Sequence, residues 1–184
     1  MNEVGAIRSV EELNNFKREA QRLGPQPHLL VLLGLNTGLR IGDLLKLRVS
    51  DIRDRGYILL WEQKTGKQKE MRFHPSVVAD IRRMTADRDG NELLFPSTWL
   101  AKRGKPISYK TAYGWVTKAA RRAGINGLVG CHTLRKTYGY HFYKQYHDIA
   151  TLMKIFNHSS EDVTMRYIGV TQESINAKTE KFRL

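Results

Sequence analysis

The stretch from Cys131 to Gly169, CHTLRKTYGYHFYKQYHDIATLMKIFNHSSEDVTMRYIG, constrains the fold more than any other part of the chain. Leu134, Tyr138, Phe142 and Tyr146 recur every four residues, and Ile149, Leu152, Met153, Ile155 and Phe156 form a second apolar-periodic segment after the capping residue Asp148. Two helices are expected, with the aromatic row of the first in the core. His132 and Arg135 lie three apart at the start of that helix, so they share a face and can converge on one small target. Asn157-His158-Ser159-Ser160 terminates the second helix, Ser160 can cap a last short one, and Tyr167 stands near its end. A guanidinium fork and two imidazoles aimed at one point suit a phosphodiester, because the fork matches two phosphate oxygens. Tyr167, close behind them, is placed to be a nucleophile.

Upstream, Ser9 followed by Glu11 and Glu12, with Leu13, Phe16, Ala20 and Leu23 on one face, predicts an amphipathic helix closed by Gly24 and Pro25. A second helix from about Pro27, carrying Leu29, Leu30, Leu32, Leu33 and Leu35, is apolar on most sides and belongs in the interior. Gly38 breaks it, and a short helix from about Arg40 leaves that arginine at the junction. Burying an arginine beside Leu39, Ile41, Leu44 and Leu45 is costly unless it is paired or binds an anion. Asp43 is spaced to orient it, and these residues alone read first as a structural ion pair holding a turn. Two strand-like runs, 56–63 and 69–74, flank Lys64-Thr65-Gly66-Lys67-Gln68 and predict a hairpin with a basic tip. Lys64 and Lys67 there suit either a DNA groove or plain solvation.

A short helix over Pro75 to Met84, a polar linker over 85–91 and a buried anchor at Leu93-Leu94-Phe95-Pro96 follow. Ser108 can cap a helix running to about Ala123. One of its faces carries Lys110, Lys118, Arg121 and Arg122, and another Trp115, Val116, Ala119, Ala120 and Ala123. With Lys102, Arg103 and Lys105 in the preceding loop, that face reads as a groove reader or phosphate tracker, or as a merely solvated surface.

The charge balance favours the first of these. The 184 residues hold 31 Lys and Arg against 18 Asp and Glu, a formal +13, and no acidic residue occurs from Leu93 to His147. A polyanion partner is implied, nucleic acid ahead of a membrane surface. Lys136, next to Arg135, joins the candidate DNA contacts. The lone Cys131 excludes an intrachain disulfide and leaves too few soft ligands for a structural zinc. A thiol nucleophile beside His132 stays open, although adjacent helix positions point apart and a buried cysteine is commoner. The apolar run Leu29 to Leu35 is too short to span a bilayer, and with no signal-peptide layout the chain reads as cytoplasmic.

Taken together, TGLRIGDLLKLRVSDI, the QKTGK hairpin, HTLRKTY and NHSSEDVTMRY resemble the catalytic domain of the tyrosine recombinases, the phage integrase family, over roughly Ser9 to Val170. Five weak signals in the right order, Arg40 with Asp43, Lys64, His132 with Arg135, His158 and Tyr167, are far more specific than any one. The resemblance implies a mainly α fold with a small β-hairpin (α+β), the DNA breaking-rejoining catalytic-domain fold. It is similar to short bacterial and phage members that lack the core-binding domain. On that basis the chain is expected to be one catalytic domain: a leader over 1–8, a core over 9–170, and a tail over 171–184 exchanged between protomers.

The resemblance further implies that Tyr167 attacks the scissile phosphorus, leaving a 3'-phosphotyrosyl link and a free 5'-hydroxyl. Arg40 and Arg135 clamp the non-bridging oxygens, with Asp43 holding Arg40. His132 serves as general base and later acid, His158 donates to the phosphate, and Lys64 protonates the leaving oxygen. No metal, ATP or other cofactor is implied. The partners are double-stranded DNA and further copies of the chain, expected as a tetramer on DNA. Asn157 stands where many relatives have Gly, and Gly42-Asp43 where Ser-Glu is frequent. His158 could instead pack behind Ser159. A type IB topoisomerase-like nicking-closing enzyme and a catalytically silent DNA-binding regulator are the rival readings.

Overall fold

The computed structural model describes residues 4–53, 55–61, 66, 68–99, 103–170, 176 and 179–183. Helix α1, Val10–Leu23, starts where Ser9 Oγ accepts from the Glu12 N–H and buries Phe16 and Ala20. Helix α2, Pro25–Thr37, begins two residues earlier than the leucine pattern indicates, because a proline at the first helical position gives up an N–H that has no intrahelical partner there. Its apolar surface faces inward on most sides, and α1, α4 (Pro75–Thr85), α5 (Tyr109–Arg122) and α6 (Cys131–Tyr146) surround it. A Cβ on Gly34 would lie 2.6 Å from Leu134 Cδ1, so α2 and α6 approach at a point where only glycine fits.

Gly38, at φ 60°, ends α2 in the left-handed region and hands the chain to Arg40, the N-cap of the single-turn α3, Ile41–Leu44. Strands β1 (Tyr57–Trp61) and β2 (Gln68–Arg72) pair antiparallel, Tyr57 opposite Arg72 and Trp61 opposite Gln68. The hairpin tip, including Lys64 and Lys67, lies outside the described residues. The expected anchor is present: Leu94 and Phe95 are fully buried, held by bridges from Leu93 to Arg48 and from Pro96 to Pro106. Helices α7 (Ile149–Phe156) and α8 (Glu161–Tyr167) complete the fold, with Asp148 and Ser160 as their side-chain caps.

Most buried apolar residues form one core around α2, and Leu152, Phe156 and Ile168 form a smaller cluster bridged to it by Tyr138 and Ile155. The aromatic row of α6 is only partly in these cores. Leu134 is buried and Tyr138 and Phe142 half-buried, but Tyr146 is 58% exposed. A four-residue spacing exceeds the 3.6-residue turn and drifts by roughly 40° per step, so the row rotates off the core face as it proceeds.

The N-terminal segment straps α6. Thr137 Oγ1 accepts from the Ile7 N–H at 2.9 Å, His141 Nε2 donates to the Ile7 carbonyl at 3.0 Å, and Arg8 reaches the Gly169 carbonyl. Among the described residues no helix is long and apolar enough to cross a membrane.

Candidate active site

The site is assembled from four chain junctions. Helix α7 ends in a Schellman turn: the His158 N–H bonds the Met153 carbonyl, the Asn157 N–H bonds the Lys154 carbonyl, and Asn157 sits at φ 51° and ψ 50°. Of the residues with a side chain, asparagine tolerates this left-handed conformation best, which explains why it stands where a glycine is frequent. The turn leaves the Phe156 carbonyl at the negative end of the helix dipole without an intrahelical partner.

That carbonyl accepts from Arg135 at 2.7 Å and, in a longer contact of 3.5 Å, from Arg40. Arg135 also donates to the Gly38 carbonyl at 2.5 Å and stacks its guanidinium 4.2 Å from the Phe156 ring centroid. The price of placing Arg135 at 3% exposure is thus offset by helix-terminal carbonyls, which orient a guanidinium without neutralising it. Asn157→Gly is accordingly expected to leave thermal unfolding unchanged or slightly raised, whereas Asn157→Val should lower stability by about 1–2 kcal/mol; denaturant titration of both variants checks this.

Tyr167, at the end of α8, is fixed from three sides. Its ring meets Phe156 edge-on at 5.5 Å and His158 at 5.1 Å, and Lys136 Nζ lies 5.1 Å from its centroid. Its hydroxyl is 3.3 Å from His132 Nδ1. His158 Nδ1 is held 3.1 Å from Thr164 Oγ1. Arg40, His132, Arg135, Asn157, His158, Ser159, Val163 and Tyr167 together line an open pocket of about 370 Å³.

Five of the residues singled out in the sequence, Arg40, His132, Arg135, His158 and Tyr167, therefore converge. Asp43 lies just behind: it is 6% exposed and its backbone N–H bonds the Arg40 carbonyl at 3.0 Å. Lys64 and Lys67 fall outside the described residues, as does Lys102. Arg103, Lys105, Lys110, Lys118, Arg121 and Arg122 are exposed, the last four along α5 opposite its buried Ala112, Val116, Ala119 and Ala120.

Lys136, a candidate DNA contact in the sequence, stands inside the site and not on the surface of α6. It is only 6% exposed, because α8 packs Tyr167 over the strip of α6 where His132 and Lys136, four apart, share a face. Its ammonium faces the tyrosine ring. Two contributors were missed in the sequence: the Phe156 carbonyl, which has no side-chain signature, and Thr164, whose only signal is its place four residues after the cap Ser160.

Gly139 governs how closely α7 and α8 seat on α6. A Cβ there would stand 2.7 Å from both the Phe156 ring and Ile168 Cγ2, and both side chains are fully buried. Gly139→Ala should cost about 1–3 kcal/mol by overpacking; thermal melts check it. Cys131 is no nucleophile. Burial pushes its thiol up to about 11, and it points away from the pocket that its neighbour His132 lines. It should resist alkylation at pH 8 in the folded chain and react once denatured, as mass spectrometry would show.

Comparison with known proteins bears on the family and the fold. The family model described as phage integrase family matches residues 8–174. A probable integrase/recombinase of Bacillus subtilis (strain 168), YoeC, is 38% identical over 182 residues, covering 99% of this chain and 98% of that protein. Against other curated relatives the chain spans about half their length, 54% and 49% in two cases. The crystal structure of XerA recombinase superposes with a TM-score of 0.77 at 21% identity, over 100% of this chain and 66% of that one. XerH site-specific recombinase bound to palindromic difH substrate gives 0.75 at 19% identity, over 94% and 51%. The fold is that of the tyrosine recombinase catalytic domains, and the chain belongs to the phage integrase family.

Proposed function

We propose that this chain is a site-specific DNA recombinase that cuts and rejoins strands through a covalent tyrosyl intermediate. The observation that carries this is the convergence of Arg40, His132, Arg135, His158 and Tyr167 on one pocket, with the tyrosine hydroxyl in reach of an imidazole nitrogen. A phenol has a pKa of about 10 and needs a base to become a nucleophile near neutrality. His132 Nδ1 takes that proton. The phenolate forms a bond to phosphorus as the bond to the 5'-oxygen breaks, and the departing oxygen receives a proton from Lys64. The reverse attack by a 5'-hydroxyl releases the tyrosine.

Arg40 and Arg135 meet the negative charge that grows on the non-bridging oxygens. Arg135 is oriented beforehand by the Phe156 and Gly38 carbonyls and Arg40 makes a longer contact with the first, so little reorganisation is needed during the reaction. One phosphodiester is exchanged for another, so the bond energy is retained and rejoining requires no nucleotide triphosphate. Asp43 buttresses Arg40, and the exposed cations of 103–122 hold the flanking duplex. Exchange between two duplexes needs four cuts, hence four copies, with the segment after Val170 as the element handed between them.

The test is a random-sequence library of duplexes, each nicked near its centre so that a cleaved fragment diffuses away. The chain should accumulate adducts stable to detergent, and peptide mapping should place the nucleotide on Tyr167. Adducts on another residue, or none across the library, would sink the proposal.

A further inference from the structure

The hydroxyl of Thr164 lies at the centre of a hydrogen-bond chain that the proposed chemistry does not use. Thr164 is fully buried, and its Oγ1 is 3.1 Å from His158 Nδ1 and 3.1 Å from the Ser160 carbonyl. One hydroxyl proton serves two neighbours. The carbonyl can only accept, whereas the imidazole nitrogen can donate or accept. If the hydroxyl pointed at Nδ1, its oxygen and the Ser160 carbonyl would face each other at 3.1 Å with no proton between them, although that carbonyl also accepts the Thr164 N–H at 3.3 Å. If it donates to Ser160, Nδ1 supplies its own proton and every group is satisfied.

We infer that Thr164 is a positioning residue that fixes the proton of His158 on Nδ1, so the imidazole meets an anion in the pocket only after taking a second proton on Nε2. A neutral imidazole of this tautomer offers a lone pair from Nε2, which repels a phosphate oxygen. Donation to the phosphate therefore requires the imidazolium, the extra proton coming from solvent and resting on Nε2.

The surroundings make this conditional on the anion. Arg40 from the α2–α3 junction, and Arg135 and His132 from α6, line the same pocket; Tyr167 of α8 contacts the ring of His158, with Lys136 above the tyrosine. Lys154 of α7 and Glu161 and Asp162 of α8 are exposed. A further positive charge among these guanidiniums is repelled until a phosphate supplies the opposite charge. The phosphate in this inference rests on the recombinase reading; the tautomer does not.

Long-range proton–nitrogen spectra of the uniformly labelled full chain test it, with His158 assigned through His158→Asn. Free wild type should show His158 protonated at Nδ1 alone, and saturating inorganic phosphate at pH 7.5 should protonate both nitrogens. Thr164→Ser should behave like wild type, and Thr164→Val should move the proton to Nε2 and stay neutral with phosphate. Wild type carrying its proton on Nε2, or a His158 unchanged by phosphate saturation, overturns the inference regardless of any DNA result.

On cleaved duplexes, adduct formation by wild type should have an alkaline limb that Thr164→Val loses. An identical limb in both also overturns it. Absence of adducts from wild type, by contrast, removes the recombinase reading and leaves the tautomer to be decided by the spectra.

Discussion

Tyr167→Phe will form no covalent adduct on any duplex that the wild-type chain cleaves, and its stability will be almost unchanged. The two expectations belong together. Phenylalanine keeps the ring that packs on Phe156 and His158 and lies under Lys136, so α8 stays seated. What is lost is one hydroxyl, 3.3 Å from His132 Nδ1, and a half-exposed hydrogen bond of this kind contributes about 1 kcal/mol or less. The proposed reaction, in contrast, loses the oxygen that attacks phosphorus. Gel retardation should show duplex binding retained, since the cations of α5 and its preceding loop are untouched. A Tyr167→Phe chain that still gives detergent-stable adducts would move the nucleophile elsewhere.

Arg135→Lys will reduce cleavage by about 10²–10³-fold and will also destabilise the fold. The guanidinium reaches the Gly38 carbonyl, the Phe156 carbonyl and the Phe156 ring at once, which joins the end of α2, the end of α7 and the middle of α6. An ammonium is a compact point charge that cannot hold two diverging carbonyls in a plane. At least one buried carbonyl is left without a donor, at a cost of about 1–3 kcal/mol. Two assays separate the effects: chemical denaturation for the fold, and single-turnover adduct formation at a temperature where the variant is fully folded. Full cleavage by folded Arg135→Lys would show that bidentate geometry at this position is dispensable. Arg40→Lys provides the contrast, because Arg40 touches Phe156 only through the longer contact and should lose activity with less stability.

Much of the arrangement was legible in the residues because the signals were local. Ser9, Ser108, Asp148 and Ser160 are N-caps as their types and positions predict, and Gly24 and Gly38 end helices where expected. The convergence of Arg40 with His132, Arg135, His158 and Tyr167 could be anticipated only through the family resemblance, since nothing periodic connects Arg40 to a helix formed a hundred residues later.

Features that depend on packing between elements were not legible. Lys136 reads as one more surface cation until α8 is laid across α6. Tyr146 follows the spacing of Leu134 and Tyr138, yet the accumulated rotation carries it into solvent. Main-chain groups leave no mark at all: the Phe156 carbonyl that seats both arginines would serve with almost any side chain. Asn157 is the partial exception, because its type is explained by a backbone angle that only the folded turn reveals.

Both guanidiniums reach the Phe156 carbonyl, Arg135 closely and Arg40 at longer range, so the last turn of α7 bears on both. If that turn frays, both arginines lose one contact at once, while Arg135 keeps its bond to the Gly38 carbonyl. On the recombinase reading, fraying of this one turn would loosen both arginines at once, so loss of local order would slow strand cutting.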